Sequence, residues 1–210
     1  MHNSKKRRWL RRCKTYPSAL VLPFSGSFQT RSMAIMGTAN GDLWEFSLKL
    51  YSEPGVAASC LSLQNQHGFD VNLVLFCIWY GFRHGELTED LLETALETSD
   101  SWRKTVVQPL RHLRTRLKRA LMESAYSSSS EISALKERIE NAELDAERIQ
   151  QHELEKLIVP SIKKNTANVL GERSARRNLD KLAASVGSRH DNAVSGHIDS
   201  LVKVNRRLVG

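Results

Sequence analysis

Asn72, Phe76, Trp79 and Arg83 recur at i, i+4, i+7 and i+11, a spacing that puts them on one face of a helix. Asp70 stands just before them, and Gln64, Asn65 and His67 crowd the turn ahead of it. A polar end, an aromatic wall and a guanidinium are the ingredients of a small-ligand pocket, which is mostly apolar with a few convergent polar groups. Asp70, Asn72, Trp79 and Arg83 are therefore the candidate ligand-binding residues. A plainer reading is favoured over this one. In it Asp70 caps a helix, Asn72 satisfies neighbouring backbone and Arg83 pairs with an acid, because buried polar groups are ordinarily just hydrogen-bonded.

A second chemistry is phosphate binding. Arg103, Lys104, Arg111, Arg114, Arg116, Lys118 and Arg119 follow one another with no acidic residue between them. Arg103, Arg111, Arg114 and Lys118 make the candidate basic patch, since lysine and arginine supply most nucleic-acid affinity through phosphates. Against this, aromatic stacking partners are absent beyond Trp102. The preceding segment is as acidic as this one is basic, with Glu86, Glu89, Asp90, Glu93, Glu97 and Asp100. Two adjacent helices of opposite sign that satisfy each other are the favoured reading, and nucleic-acid binding is disfavoured.

Other chemistries find no footing. His67, His84, His112 and His152 are scattered, without a His-x-x-x-His or Cys-x-x-Cys pair, so no metal site is expected. No phosphate-cradling or dinucleotide glycine loop occurs, and no cofactor is expected. Cys60 and Cys77 lie in apolar runs that hide a thiol and raise its pKa, so neither is a candidate nucleophile. No catalytic residue stands out, and the reading leans away from an enzyme. With Cys13 the cysteines form an odd, sparse set rather than a disulfide framework. A reducing, cytoplasmic setting is expected.

These residues are held by helices. Asp42 caps a helix over Leu43–Tyr51, and Ser52-Glu53-Pro54-Gly55 breaks the pattern. The next helix runs from Pro54 to His67 and closes on Gly68. Asp70 caps a third helix, with Phe69 and Val74 as its hydrophobic staple. From Val71 to Phe82 its only strongly polar residue is Asn72, so it is predicted to be buried on all sides. Helices follow over Glu86–Asp100 and Ser101–Glu123, with a kink or break expected at Pro109. A serine linker after Tyr126 leads to a polar helix over Glu131–Ile158. Its apolar positions Ile132, Leu135, Ile139, Ala142, Ala146 and Ile149 resemble a coiled-coil seam, which fails at Glu153 and Lys156. Two shallower helical stripes fill 161–210, separated at Gly187-Ser188.

The expected fold class is all-α: a compact helical core over 40–123, a linker over 124–130 and a helical extension over 131–210. No membrane span is expected, because the longest apolar run, Leu73 to Gly81, is about half the ~20 residues a spanning helix needs. The net charge of +8 belongs to the beginning of the chain. Eight cations precede the first acid, Asp42, which leaves 23 basic and 23 acidic residues beyond them. Residues 1–35 thus read as a basic leader, best explained by translation starting at Met33 or Met36, with an organellar transit peptide as the competing reading.

The stretch from Trp44 to about Arg119 resembles a bacterial family of unknown function. The likeness lies in Trp44-x-Phe46-Ser47-Leu48-x-Leu50-Tyr51, Pro54-Gly55-Val56-Ala57, Leu61-x-Leu63-Gln64 and Gly68-x-Asp70-Val71-Asn72-Leu73-x-Leu75-Phe76. It continues in Trp102-Arg103 and Val106-Val107-x-Pro109-Leu110-Arg111-x-Leu113-Arg114. The resemblance implies a compact helical domain starting near residue 40, and it implies no reaction.

The functional expectation is a non-enzymatic interaction module. Residues 131–210 would bind a protein partner or self-associate, since shallow stripes bury little area alone. The alternatives are a small-molecule-binding or enzymatic domain using the Asn72 and Arg83 face, and nucleic-acid binding through Arg103–Arg119.

Overall fold

The computed structural model describes residues 43–123, 130–158, 168–188 and 191–209. Every regular element among the described residues is helical, and the fold is all-α. The basic leader, the start at Met33 or Met36 and the serine linker up to residue 129 lie outside the described residues.

The first three helices follow the punctuation of the sequence. Helix α1 spans Leu43–Tyr51 and α2 spans Val56–His67. Gly55 turns the chain between them at φ 84°, a left-handed conformation that side chains resist. Helix α3, Val71–Arg83, starts where Asp70 Oδ1 accepts the Asn72 N–H at 2.9 Å. Every residue of α3 from Val71 to Gly81 is buried, as its nearly uninterrupted apolar sequence requires. It is the central post of the molecule, in contact with both preceding helices and with three of those that follow.

Helix α4, Glu89–Trp102, begins three residues later than Glu86, because Thr88 is the better cap: its Oγ1 accepts the Leu91 N–H at 3.2 Å. The expected kink or break at Pro109 is replaced by a π-helical turn over Arg103–Val107 that runs into α5, Gln108–Glu123. In this turn the Gln108 N–H reaches the Arg103 carbonyl five residues back. The wider turn just ahead of Pro109 relieves the clash that its ring makes with a preceding α-helical turn.

Helix α6, Ser130–Lys156, packs against α5 and then reaches α1, α3 and α4. Helices α7, Asn168–Ser185, and α8, Asn192–Val209, complete the molecule, joined through Gly187 at φ 74°. These three helices are not an appendage, in contrast to the expected extension over 131–210. Leu154, Leu179, Leu182, Ile198 and Leu201 are fully buried in the same core as Leu63 and Phe76. Their stripes look shallow because close backbone approach replaces large side chains. A Cβ built on Gly81 of α3 would stand 2.4 Å from Ala175 Cα of α7, and one on Gly171 would meet Phe82. The buried Asn178 stitches the same junction, accepting the Leu87 N–H at 2.8 Å and donating to the Gly85 carbonyl at 3.1 Å.

The expected seam of α6 divides, with Ile139 and Ala146 buried and the rest turned further outward. Leu135 and Ile149 are over two-fifths exposed, while Glu143, Glu147, Gln150 and Gln151 are buried. No helix among the described residues is long and apolar enough to cross a membrane.

Candidate functional site

The polar face that α6 turns inward meets the polar start of α3. Ser47 Oγ of α1 donates to Gln151 Oε1 at 2.9 Å. Gln151 Nε2 donates to Asn72 Oδ1 at 2.8 Å, and Asn72 Nδ2 to Gln150 Oε1 at 2.7 Å. Gln150 Nε2 ends the chain on Asp70 Oδ2 at 2.7 Å and also reaches Ser99 Oγ of α4 at 2.6 Å. Ser99 Oγ donates to the same Asp70 oxygen at 2.7 Å. Three amides in series thus link a hydroxyl of α1 to the carboxylate that caps α3. A buried amide left unpaired costs about 1–3 kcal/mol, so this polar seam persists only because each member is engaged.

Beside it runs a row of ion pairs between α5 and α6. Arg111 Nε meets Glu143 Oε1 at 3.0 Å and Arg111 Nη2 meets Glu147 Oε1 at 2.8 Å. Arg114 Nε meets Glu143 Oε2 at 2.5 Å. Burial pushes the Glu147 carboxyl up to about 7. Arg111 opposes the shift, and the nearby charges of Glu143 and Asp70 reinforce it. Burial works against the Arg111 charge too, but its two carboxylate partners outweigh it and hold its pKa above the ordinary arginine value. The asymmetry has a simple origin: Arg111 is shared by two acids, and Glu147 has that one guanidinium.

Between the amide chain and the ion pairs lies a cavity of about 310 Å³, at the small end of ligand-binding cavities, roughly 300–1,000 Å³. Trp44, Leu48, Phe69 and Leu75 supply an apolar side, while Asp70, Asn72, Gln150 and Gln151 supply the amide side. Arg103, Gln108, Arg111 and Glu147 close it from α5, α6 and the π turn. That turn sets the register. Arg103 and Arg111 are eight residues apart, about 0.8 residue more than two α-helical turns. The extra residue held in the π turn absorbs the excess, so both guanidiniums reach one wall.

The predicted ligand-binding residues divide into two groups. Asp70 and Asn72 line the cavity. Trp79 and Arg83 do not: they lie roughly 10 to 16 Å further along α3 at 1.5 Å per residue. There the Arg83 guanidinium sits 5.9 Å over the Trp79 ring, and burial lowers the Arg83 pKa against the pull of Glu155. Asp70 does cap its helix. Asn72, however, bonds the side chains of α6 rather than neighbouring backbone.

The basic patch also divides. Arg103 and Arg111 line the cavity, Arg114 is held by Glu143, and Lys118 is exposed. The expected pairing of the acidic and basic helices is largely replaced by other partners. Helices α4 and α5 belong to one continuous helical run and have no way to lie side by side. Among the described residues, Asp100 of α4 pairs with the basic segment only at its start in the π turn, to Arg103 and Lys104 at 2.7 and 2.6 Å. Glu86, just ahead of α4, and Glu89 in its first turn go to α7 instead, to Arg177 and Lys181.

Sequence reasoning missed Ser47, Ser99, Glu143, Glu147, Gln150 and Gln151. One signal was available: Glu143, Glu147, Gln150, Gln151 and Leu154 stand at i, i+4, i+7, i+8 and i+11, the spacing of a buried helix face. No group of three or more His, Cys, Asp or Glu among the described residues is placed to hold a metal ion. Burial pushes the Cys60 thiol up to about 12 and raises that of Cys77 as well.

No curated protein and no solved structure matches the chain. Residues 42–154 match a family described as "Protein of unknown function (DUF2390)", a stretch that carries the cavity and both of its polar walls. That match spans more than half of the chain, and the chain belongs to this family.

Proposed function

We infer that the chain is a small-molecule-binding protein whose ligand occupies the cavity between α1, α3, the π turn and α6. One observation carries this reading. The chain from Ser47 through Gln151, Asn72 and Gln150 to Asp70 holds its side chains in place around an open space instead of closing on itself. Polar groups pinned by their neighbours around a void of ligand size are how binding sites achieve preorganisation. Gln64 and Gln108 on the same wall have no side-chain hydrogen bond among the described residues, and they supply further contacts for a guest. The setting is a cytosol, in keeping with two buried free thiols.

The test is a metabolite-library screen of the full chain by thermal shift, followed by tryptophan fluorescence. A hit that raises the melting temperature, perturbs Trp44 and is lost in Asn72→Ala supports the reading. A library without any hit that depends on Asn72 sinks it.

A second reading is favoured by the hairpin of α5 and α6. Leu113 and Met122 of α5 are 50% and 79% exposed, and Leu135 of α6 is 43% exposed. Self-association through this hairpin replaces the expected role of 131–210 as a whole, since α7 and α8 spend their apolar faces inside the molecule. Light scattering at rising concentration tests it: a monomer throughout, unchanged by Leu113→Glu, removes it.

A further inference from the structure

The geometry points to a small organic carboxylate as the occupant of the cavity, an assignment that rests on the ligand-cavity reading above and narrows it. The arginines of the wall have donors to spare, and its acids are largely taken up. An arginine carries five N–H donors. Arg103 commits one to Asp100 Oδ1 at 2.7 Å, and its Nε stands 3.9 Å from Asp70 Oδ2, beyond hydrogen-bond length. Arg111 commits one each to Glu143 and Glu147. The remaining N–H groups of both residues have no acceptor among the described residues.

The acids of the wall are in the opposite condition. Asp70 Oδ1 accepts the Asn72 N–H, and Oδ2 accepts from both Ser99 and Gln150. Glu147 is bonded to Arg111, and burial that favours its protonated form leaves Arg103 and Arg111 facing Asp70 as the charged acid of the lining. Asn72 Nδ2 and Gln151 Nε2 each use one of two hydrogens. An occupant that accepts hydrogen bonds and carries negative charge fits this surplus, and a guanidinium fork suits a planar carboxylate. The other side of the cavity, with Trp44, Leu48, Phe69 and Leu75, asks for an apolar body on that ligand. The volume accommodates a compact molecule such as a benzoate or a short branched-chain acid.

Isothermal titration of the full chain with benzoate, its neutral analogue benzamide, 3-methylbutanoate and inorganic phosphate tests the assignment. The expected result is saturable binding of benzoate or 3-methylbutanoate at least 10-fold tighter than benzamide and than phosphate. Arg103→Gln should bring the acid down to the level of benzamide, while Lys118→Gln leaves it unchanged. If Arg103→Gln does not fold, Arg103→Lys takes its place, and the comparison of benzoate with benzamide on the unaltered chain stands without any variant. Benzamide binding as tightly as benzoate overturns the carboxylate while keeping the cavity as a binding site. Phosphate binding as tightly as the acids overturns the organic body. No binding by any of the four overturns the assignment, and the metabolite screen then decides separately whether the cavity binds anything.

Discussion

Asn72 and Gln150, 78 positions apart in the chain, join side chain to side chain through a 2.7 Å hydrogen bond in the interior. Asn72 also accepts from Gln151, so its removal strands two buried amides at once. Asn72→Ala is expected to cost roughly 2–4 kcal/mol, from about 1–3 kcal/mol per buried group left unpaired. Urea denaturation at constant slope would check it. A loss under about 0.5 kcal/mol, the level of an ordinary surface substitution, would mean that the amide chain is not cohesive.

Glu147 makes stability depend on pH with a definite sign. Its carboxyl is pushed from the ordinary glutamate value of 4.5 up to about 7 in the folded chain. Between those values the folded state holds a proton that the unfolded state has released. The contribution of Glu147 is therefore fully present below about pH 4.5 and is lost as pH rises through about 7. The slope of this contribution reaches at most about 1.4 kcal/mol per pH unit. Unfolding free energies measured from pH 5 to 8 for the unaltered chain and Glu147→Gln isolate it: their difference should change steadily up to about pH 7 and flatten toward pH 8.

Gly81 tests how α7 belongs to the core. A Cβ there would lie 2.4 Å from Ala175 backbone atoms, and two helix backbones cannot absorb that contact by a rotamer change. Gly81→Ala is expected to destabilise by about 1–3 kcal/mol, the usual cost of overpacking, despite alanine's better helix propensity. A stabilised Gly81→Ala, read from the melting temperature, would mean that α3 and α7 are not in contact.

The π turn offers a test by deletion. Lys104 is exposed and, among the described residues, pairs only with Asp100. Removing it should convert the turn to ordinary α-helix and leave α5 facing as before, because Arg103 and Arg111 then stand seven residues apart, close to two α-helical turns. Arg111 and Arg114 should then keep Glu143 and Glu147, and breaking such buried pairs costs on the order of 3–5 kcal/mol. Glu143→Gln should therefore destabilise the shortened chain as much as the unaltered one in urea denaturation. A shortened chain indifferent to Glu143→Gln would show that α5 has turned away.

The sequence announced its elements more clearly than its assembly. Caps and breakers act over a few residues, so Asp70, Gly55 and Gly68 were legible, as was the burial of α3 from its apolar run. Half of the site was legible for the same reason: Asp70 and Asn72 stand out against apolar surroundings. The other half lies on α6, where Gln150 and Gln151 look like ordinary surface residues until their partners 51 and more positions away are known. Arg103 and Arg111 were visible as charges. Their common direction was not, because an α-helical register places them on different faces and the π turn has no strong local signature. The role of α7 and α8 was hidden by glycine and alanine, whose contribution is the proximity they permit rather than the area they bury.

The chain of amides has a polarity that one atom group dictates. Asp70 can only accept, so Gln150 must offer it an amino group, and Gln150's oxygen must then face Asn72. The same logic orients Asn72 toward Gln151 and Gln151 toward Ser47. The carboxylate works as a reference mark that is read, link by link, at the far side of the cavity. Asp70→Asn would erase the mark. The amide oxygen still has to accept the Asn72 N–H, so its amino group turns to Gln150 and the series reverses. The expected signature is displaced side-chain amide signals for Gln150 and Gln151 in the nuclear magnetic resonance spectrum, from a wall that presents acceptors where the unaltered chain presents donors.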